Sequence, residues 1–192
     1  MRTLEIGGAA ASLLLASACG SMMPMTPAMT PAVTPPTASI DNASLPDAVR
    51  VPSGEMQKAW TVGKGEITYE CRAKKEMVDQ YEWAFAGPAA TLHDASGKAV
   101  GKYYGPPTTW EAMDGSKVGG KQVAVAPHQA DAIPLQLVKA EPAVGSGAMQ
   151  GVTYIQRLKT VGGVAPSALC AVANQGEKKQ VAYQADYVFY GR

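Results

Sequence analysis

The 192 residues leave room for one domain of ordinary size once a leader and a tether are set aside, and two domains would be cramped. Hydrophobic residues make up 46% and charged residues 17%, with 20 glycines and 14 prolines, a turn-rich composition that leans toward sheet and excludes a wholly helical or wholly disordered chain. A formal net charge of +1 gives no electrostatic footprint for nucleic acid or an anionic membrane surface, so no nucleic-acid partner is expected.

Residues 6–18 form an uncharged apolar run behind Arg2 and lead directly into Cys19-Gly20. This is the anatomy of a secretory leader, too short to cross a bilayer by itself. The segment Leu14-Leu15-Ala16-Ser17-Ala18-Cys19 resembles a bacterial lipobox, with Ala16 where Leu is usual and Glu5 diluting the basic region. The resemblance implies cleavage before Cys19 and a lipid anchor on its thiol; the plainer alternative is an ordinary signal peptide cut nearby. Gly20, rather than Asp, resembles the outer-membrane sorting choice, so the expected location is the periplasm-facing cell envelope with the membrane as a partner through Cys19.

Residues 19–44 are read as a Pro/Thr/Met-rich disordered tether. Met25-Thr26-Pro27-Ala28, Met29-Thr30-Pro31-Ala32 and Val33-Thr34-Pro35-Pro36 place prolines too densely for a ladder, and a polyproline-like spacer of about 3.1 Å per residue would reach roughly 60 Å. Met22, Met23, Met25 and Met29 are soft thioethers that suit Cu(I), but without His or Cys neighbours the low-complexity spacing explains them better.

From residue 45 to 192 the dominant period is two, which belongs to strands with one buried face. Ile67, Tyr69 and Cys71 share one side against Thr68, Glu70 and Arg72. Tyr81, Trp83 and Phe85 alternate with Gln80, Glu82 and Ala84. A hairpin follows, from Thr91-Leu92-His93 through Asp94-Ala95-Ser96-Gly97 into Ala99–Tyr103. Asp114-Gly115-Ser116 turns Thr109–Ala112 into Lys117-Val118, which continues to Val123–Val125 past Gly119-Gly120, a pair read as a bulge or bend. Ile133–Lys139, Val152–Lys159 and Val181–Tyr190 complete the set, with Gly145-Ser146-Gly147 as a turn between strands. The last strand alternates Tyr183, Ala185, Tyr187 and Phe189 against Gln184, Asp186, Val188 and Tyr190.

Eight to ten short strands joined by tight turns predict an all-β fold, an antiparallel β-sandwich or barrel. Pro166 and Gly176 bracket the one helical candidate, a short helix near residues 166–175. With Cys19 assigned to the lipid, Cys71 and Cys170 remain in an oxidising compartment, and compartment and parity predict that they pair. In the chain-entropy picture a bridge closing so long a loop contributes about 4 to 5 kcal/mol.

The blocks Tyr69-Glu70-Cys71-Arg72-Ala73, Trp83-Ala84-Phe85, Ala90–Gly97, Trp110-Glu111, Asp114–Val118, Ile155-Gln156-Arg157, Thr160–Gly163 and Tyr183–Tyr190, in that order, resemble the DUF 3455 family of bacterial and fungal secreted proteins, over about residues 45–192. The resemblance implies export and a single β-rich domain, and it implies no activity. The sequence departs from the family's pattern at residues 103–110, where a His before the Tyr and a tighter Gly-Pro-Thr-Trp are expected, so no role that needs an imidazole there is carried over.

Neither His93 nor His128 sits in a metal-ligand spacing, and no nucleophile elbow, phosphate-cradling loop or dinucleotide fingerprint is present. No metal and no cofactor are therefore expected, and no residue is assigned a catalytic role. The densest polar and aromatic stretch holds Tyr103, Tyr104, Trp110, Glu111, Asp114 and Lys117, a pattern that suits stacking on a sugar or flat ligand while acids bond its hydroxyls. The structural reading of the same residues is Trp110 as core plug, Glu111 facing water and Asp114 capping its turn, and it is the favoured one. Arg157, set among alternating apolar residues, is expected either to face solvent or to be half-buried in an ion pair with Glu70 or Asp186, with anion recognition second. The functional expectation is a non-enzymatic envelope lipoprotein that binds a small molecule, glycan or partner protein. The alternatives are a secreted hydrolase using Glu111 and Asp114, which would need convergent carboxyls, and a purely structural envelope protein.

Overall fold

The computed structural model describes residues 39–77 and 79–192. The leader, Cys19 and most of the tether lie outside those residues.

Eight antiparallel strands follow one another in space as in sequence: β1 (Met56–Ala73), β2 (Tyr81–His93), β3 (Ala99–Tyr104), β4 (Thr109–Ala112), β5 (Lys117–Ala126), β6 (Leu135–Ala140), β7 (Tyr154–Gly162) and β8 (Lys178–Gly191). β8 pairs back onto β1 from Met56↔Gly191 to Glu70↔Lys178, which closes the sheet into a barrel. Of the two architectures expected, the barrel is the one formed, and closure leaves no edge strand, although β2 and β5 run past the upper end of the short β3–β4 hairpin and are unpaired on that side. The links β1–β2, β3–β4, β5–β6 and β7–β8 gather at one end, called here the upper end, and the remaining links at the lower end.

Alternation sorts the side chains as expected along β8. Tyr183, Ala185, Tyr187 and Phe189 point inward, where they join Ile67, Leu92, Trp110, Val118 and Ile155 in the principal core. Tyr103 stacks on Trp110 with ring centroids 4.7 Å apart, and Tyr187 lies 4.8 Å from Tyr103. The interior is so full at this level that a Cβ on Gly63 would lie 2.6 Å from Tyr187 Cε2. An eight-stranded barrel is just wide enough for side chains to fill it or to hold one small ligand. On the outside, β1 presents Lys64, Glu66, Glu70 and Arg72, charges that a lipid-facing strand would not carry.

One sector of the outer wall is apolar, and the chain ahead of β1 covers it. Ile40, Leu45, Val49 and Val51 pack on Leu135, Leu137, Leu158, Val188 and Tyr190 to form a second core outside the barrel. Gln156, 0% exposed, pins this strap: its Nε2 donates to Val49 O (2.6 Å) and Asn42 Oδ1 (3.1 Å), and its Oε1 accepts from Tyr190 Oη (2.8 Å). The packed body thus begins ahead of Leu45, inside the segment read as tether.

Cys71 and Cys170 are bonded, with Cα atoms 5.5 Å apart. The bond draws the β7–β8 link against the upper end, where Trp83 Nε1 also donates to Ala168 O (2.7 Å). This explains why the short helix expected near residues 166–175 shrinks to a single 3-10 turn. Ala171 is extended, and only Val172–Asn174 makes a 3-10 turn, held by Asn174 Oδ1 accepting from Ala171 N (2.7 Å). The Pro and Gly that resemble helix ends instead bracket a loop anchored at residues 168 and 170. Gly119 and Gly120 also differ from expectation, since both pair in register and the bulge falls at Val123, between Gln122 and Ala124. Gly120 is needed for space, because a Cβ there would meet Val138 Cγ1 at 2.5 Å.

Candidate binding cavity

The residues singled out between 103 and 117 divide by strand parity. Tyr103 and Trp110 point into the barrel, and Trp110, 1% exposed, is a core plug beneath the cavity described below. Tyr104, Glu111 and Lys117 point outward and bond one another: Tyr104 Oη donates to Glu111 Oε2 (2.8 Å), and Lys117 Nζ lies 3.2 Å from the same oxygen. The Tyr104 hydroxyl first, and then the Lys117 ammonium, hold the Glu111 carboxyl below the usual carboxylate range.

Asp114 is engaged in its own turn. Oδ1 accepts from Ser116 N (2.9 Å) and Ser116 Oγ (2.6 Å), and Oδ2 accepts from Ala148 N (2.7 Å), tying the β4–β5 turn to the β6–β7 link. The Ser116 hydroxyl bond is the largest of several that keep this carboxyl low. Both acids are ionised and held in local bonds, an arrangement with no proton to donate and no shared cleft, so the geometry offers nothing to a glycosidase pair.

The upper end of the barrel holds a cavity of about 340 Å³, within the range of small-molecule sites. Its walls are Ile67 and Tyr69 of β1, Phe85 of β2, Tyr103 of β3, Gly120 and Gln122 of β5, Gln136 and Val138 of β6, and Arg157 of β7, with Thr108, Ile133 and Pro134 at the lip. These six strands reach it at inward positions near the upper end, where β2 and β5 run past the short β3–β4 hairpin. Phe85 keeps the inward parity read from the sequence, but at 54% exposed it forms the cavity's rim and not its core, meeting Tyr69 edge-on at 6.3 Å.

Among the described residues Arg157 is the one charged side chain lining this cavity. The expected ion pair is not made: Glu70 bonds Arg72 (2.8 Å) with Lys178 at 4.0 Å, and Asp186 faces Lys159 (3.1 Å) outside the barrel. Both acids lie on outward positions of β1 and β8, whereas Arg157 pairs with Tyr187 and Gln136 on the inward face. Its Nε (3.2 Å) and Nη2 (3.0 Å) donate to Pro134 O, and among the described residues no carboxylate pairs with it. The guanidinium instead faces phenols. Burial raises the pKa of Tyr69, Tyr103, Tyr183 and Tyr187, and the Arg157 charge opposes that rise at each, so all four remain neutral beside an uncompensated cation.

Two carboxamides complete the polar lining, Gln136 Nε2 donating to Gln122 Oε1 (2.6 Å). Tyr69 Oη donates to Gly163 O (2.7 Å), fastening the β7–β8 link beside the mouth. Sequence reasoning named Arg157 and Tyr103 but missed Tyr69, Gln122 and Gln136 as site residues. Their inward parity was readable, but their convergence depends on closure of the barrel. Among the described residues no cluster of His, Cys, Asp and Glu could hold a metal, and no helix is long and apolar enough to cross a membrane.

Comparison with known proteins finds one family model, described as a protein of unknown function (DUF3455), that matches residues 52–191. No curated protein matches, and no solved structure matches.

Proposed function

Since the chain belongs to the DUF3455 family, which brings no activity with it, we propose from the site alone that this protein is a non-enzymatic binding module whose barrel takes one small molecule through its upper end. The observation that carries the reading is an inward-facing guanidinium with no counter-ion among the described residues, in a cavity of about 340 Å³ lined otherwise by apolar, phenolic and amide groups. A half-buried charge without a partner is costly unless something supplies one. A purely structural barrel would more economically place a Leu or Met at position 157.

The same reading includes export, lipid attachment at Cys19 and a tether that holds the domain off the envelope membrane. The Cys71–Cys170 bond supports the oxidising compartment that export implies. Detergent-phase partitioning of the native chain against Cys19→Ala tests the anchor, and loss of partitioning in the variant is expected.

The binding reading is tested by nuclear magnetic resonance shift mapping of the full chain against a panel of small metabolites and sugars. Ligand-dependent shifts should gather at Ile67, Phe85, Ile133 and Val138. Shifts confined to the outer Tyr104–Glu111–Lys117 face, or none from any compound, would reject the interior site. Trp110→Ala is a poor probe, because removing a fully buried indole changes folding before it changes binding.

A further inference from the structure

The cavity's chemistry narrows its occupant. We infer that it takes a compact organic monoanion, a carboxylate or sulfonate on an apolar body, an inference that rests on the binding reading above. Four features select that class.

Two of the five guanidinium N–H donors of Arg157 go to Pro134 O and the group also meets the Tyr103 hydroxyl, but among the described residues no carboxylate takes it, which leaves part of a planar fork suited to an oxyanion. The bond from Gln136 to Gln122 Oε1 leaves the Gln122 amide nitrogen as a second donor at the mouth. Among the described residues no carboxylate, thiol or imidazole lines the wall, so a metal ion finds no ligand there, and an organic cation would meet the like charge of Arg157. A neutral sugar would leave the Arg157 charge without a counter-ion. Ile67, Phe85, Ile133, Pro134 and Val138 supply the apolar surface for the rest of the molecule.

The volume, about 340 Å³, is at the small end for a ligand site. It excludes a peptide or an extended polymer as an enclosed ligand. The outward Lys64 and Lys102 beside Glu66 and Glu111 form a shallow groove of mixed sign with no such selectivity.

The test uses two fluorescent probes of similar shape on the full chain, 8-anilinonaphthalene-1-sulfonate, which carries the anion, and N-phenyl-1-naphthylamine, which does not. Arg157→Met removes the charge and keeps the bulk, and Gln122→Trp narrows the mouth at an exposed position. Circular dichroism and urea unfolding check that both variants fold. The sulfonate should bind one per chain and weaken about tenfold or more in Arg157→Met, as loss of a charge-assisted bond implies. The neutral probe should change less than about twofold in that variant, and Gln122→Trp should weaken both. Equal behaviour of the two probes toward Arg157→Met overturns the anion inference and leaves the cavity standing. Failure of both probes to bind, or indifference of both to Gln122→Trp, overturns the cavity reading together with the inference.

Discussion

Gln156→Leu isolates the hydrogen bonds that fasten the strap to the barrel. Leucine has similar bulk, so the apolar packing around position 156 is largely kept while every hydrogen bond of the amide is lost. Asn42 retains a partner, because its Oδ1 also accepts from Val51 N (3.0 Å) and its Nδ2 donates to Val51 O (3.1 Å). Val49 O and Tyr190 Oη lose the amide, and both residues are buried.

Each orphaned buried group costs about 1 to 3 kcal/mol, so the two together cost about 2 to 6 kcal/mol, and after the offset from added apolar burial a net loss of about 3 kcal/mol is expected. For a domain of this size that lowers Tm by roughly 6 to 12 °C. Urea unfolding of wild type, Gln156→Leu, Tyr190→Phe and the double variant forms a cycle. Tyr190→Phe should be less harmful, or even helpful, on the Gln156→Leu background, since it removes one orphan. A single-variant loss within about 0.5 kcal/mol of zero, or equal costs of Tyr190→Phe on both backgrounds, would refute the assignment of Gln156 as the pin.

Replacing Cys71 and Cys170 together by Ala opens a loop of sequence separation 99, and unfolding should become easier by about 3 to 5 kcal/mol, with a larger urea m-value because the unfolded chain expands. Unchanged stability and m-value would remove the bond's structural role. Alkaline pH should also unfold the barrel. Burial raises the pKa of Tyr69, Tyr103, Tyr183 and Tyr187 above 10.0 and that of Tyr190 to about 12, so above pH 10.0 the native state holds protons that the unfolded state has released. Stability is therefore full below pH 10.0 and falls as pH rises through the folded values. Urea midpoints together with phenolate absorbance should show the two transitions coinciding, and phenolate appearing with no loss of stability would contradict the burial argument.

Much of the barrel was legible because its strands alternate cleanly. Tyr183 to Tyr190 declared both faces, and Asp94–Gly97 and Asp114–Ser116 declared their turns. Most of β1 was not legible: Gly63 and Gly65 give no apolar signal at the positions where they make room, and the bulge between Gln57 and Ala59 shifts the phase. Closure was hidden for a different reason, since the β1–β8 ladder joins residues more than a hundred positions apart. The Arg157 partner was a more instructive error. The alternation that placed Tyr69 and Tyr187 inside also placed Glu70 and Asp186 outside, so parity already argued against either pair. The helix near residues 166–175 is only the 3-10 turn Val172–Asn174, because Pro and Gly punctuate any tight excursion and the disulfide makes most of this one a loop.

The strap along the outer wall has a consequence for where the folding unit begins. The family's recurring sequence starts at residue 52, yet Val49, Val51 and Asn42 lie ahead of it and close the outer core. A chain trimmed to the family's limits would bare Leu135, Leu137, Leu158, Val188 and Tyr190 as one adhesive stripe. A pull applied ahead of residue 40 would likewise peel this belt away before any strand of the barrel yields.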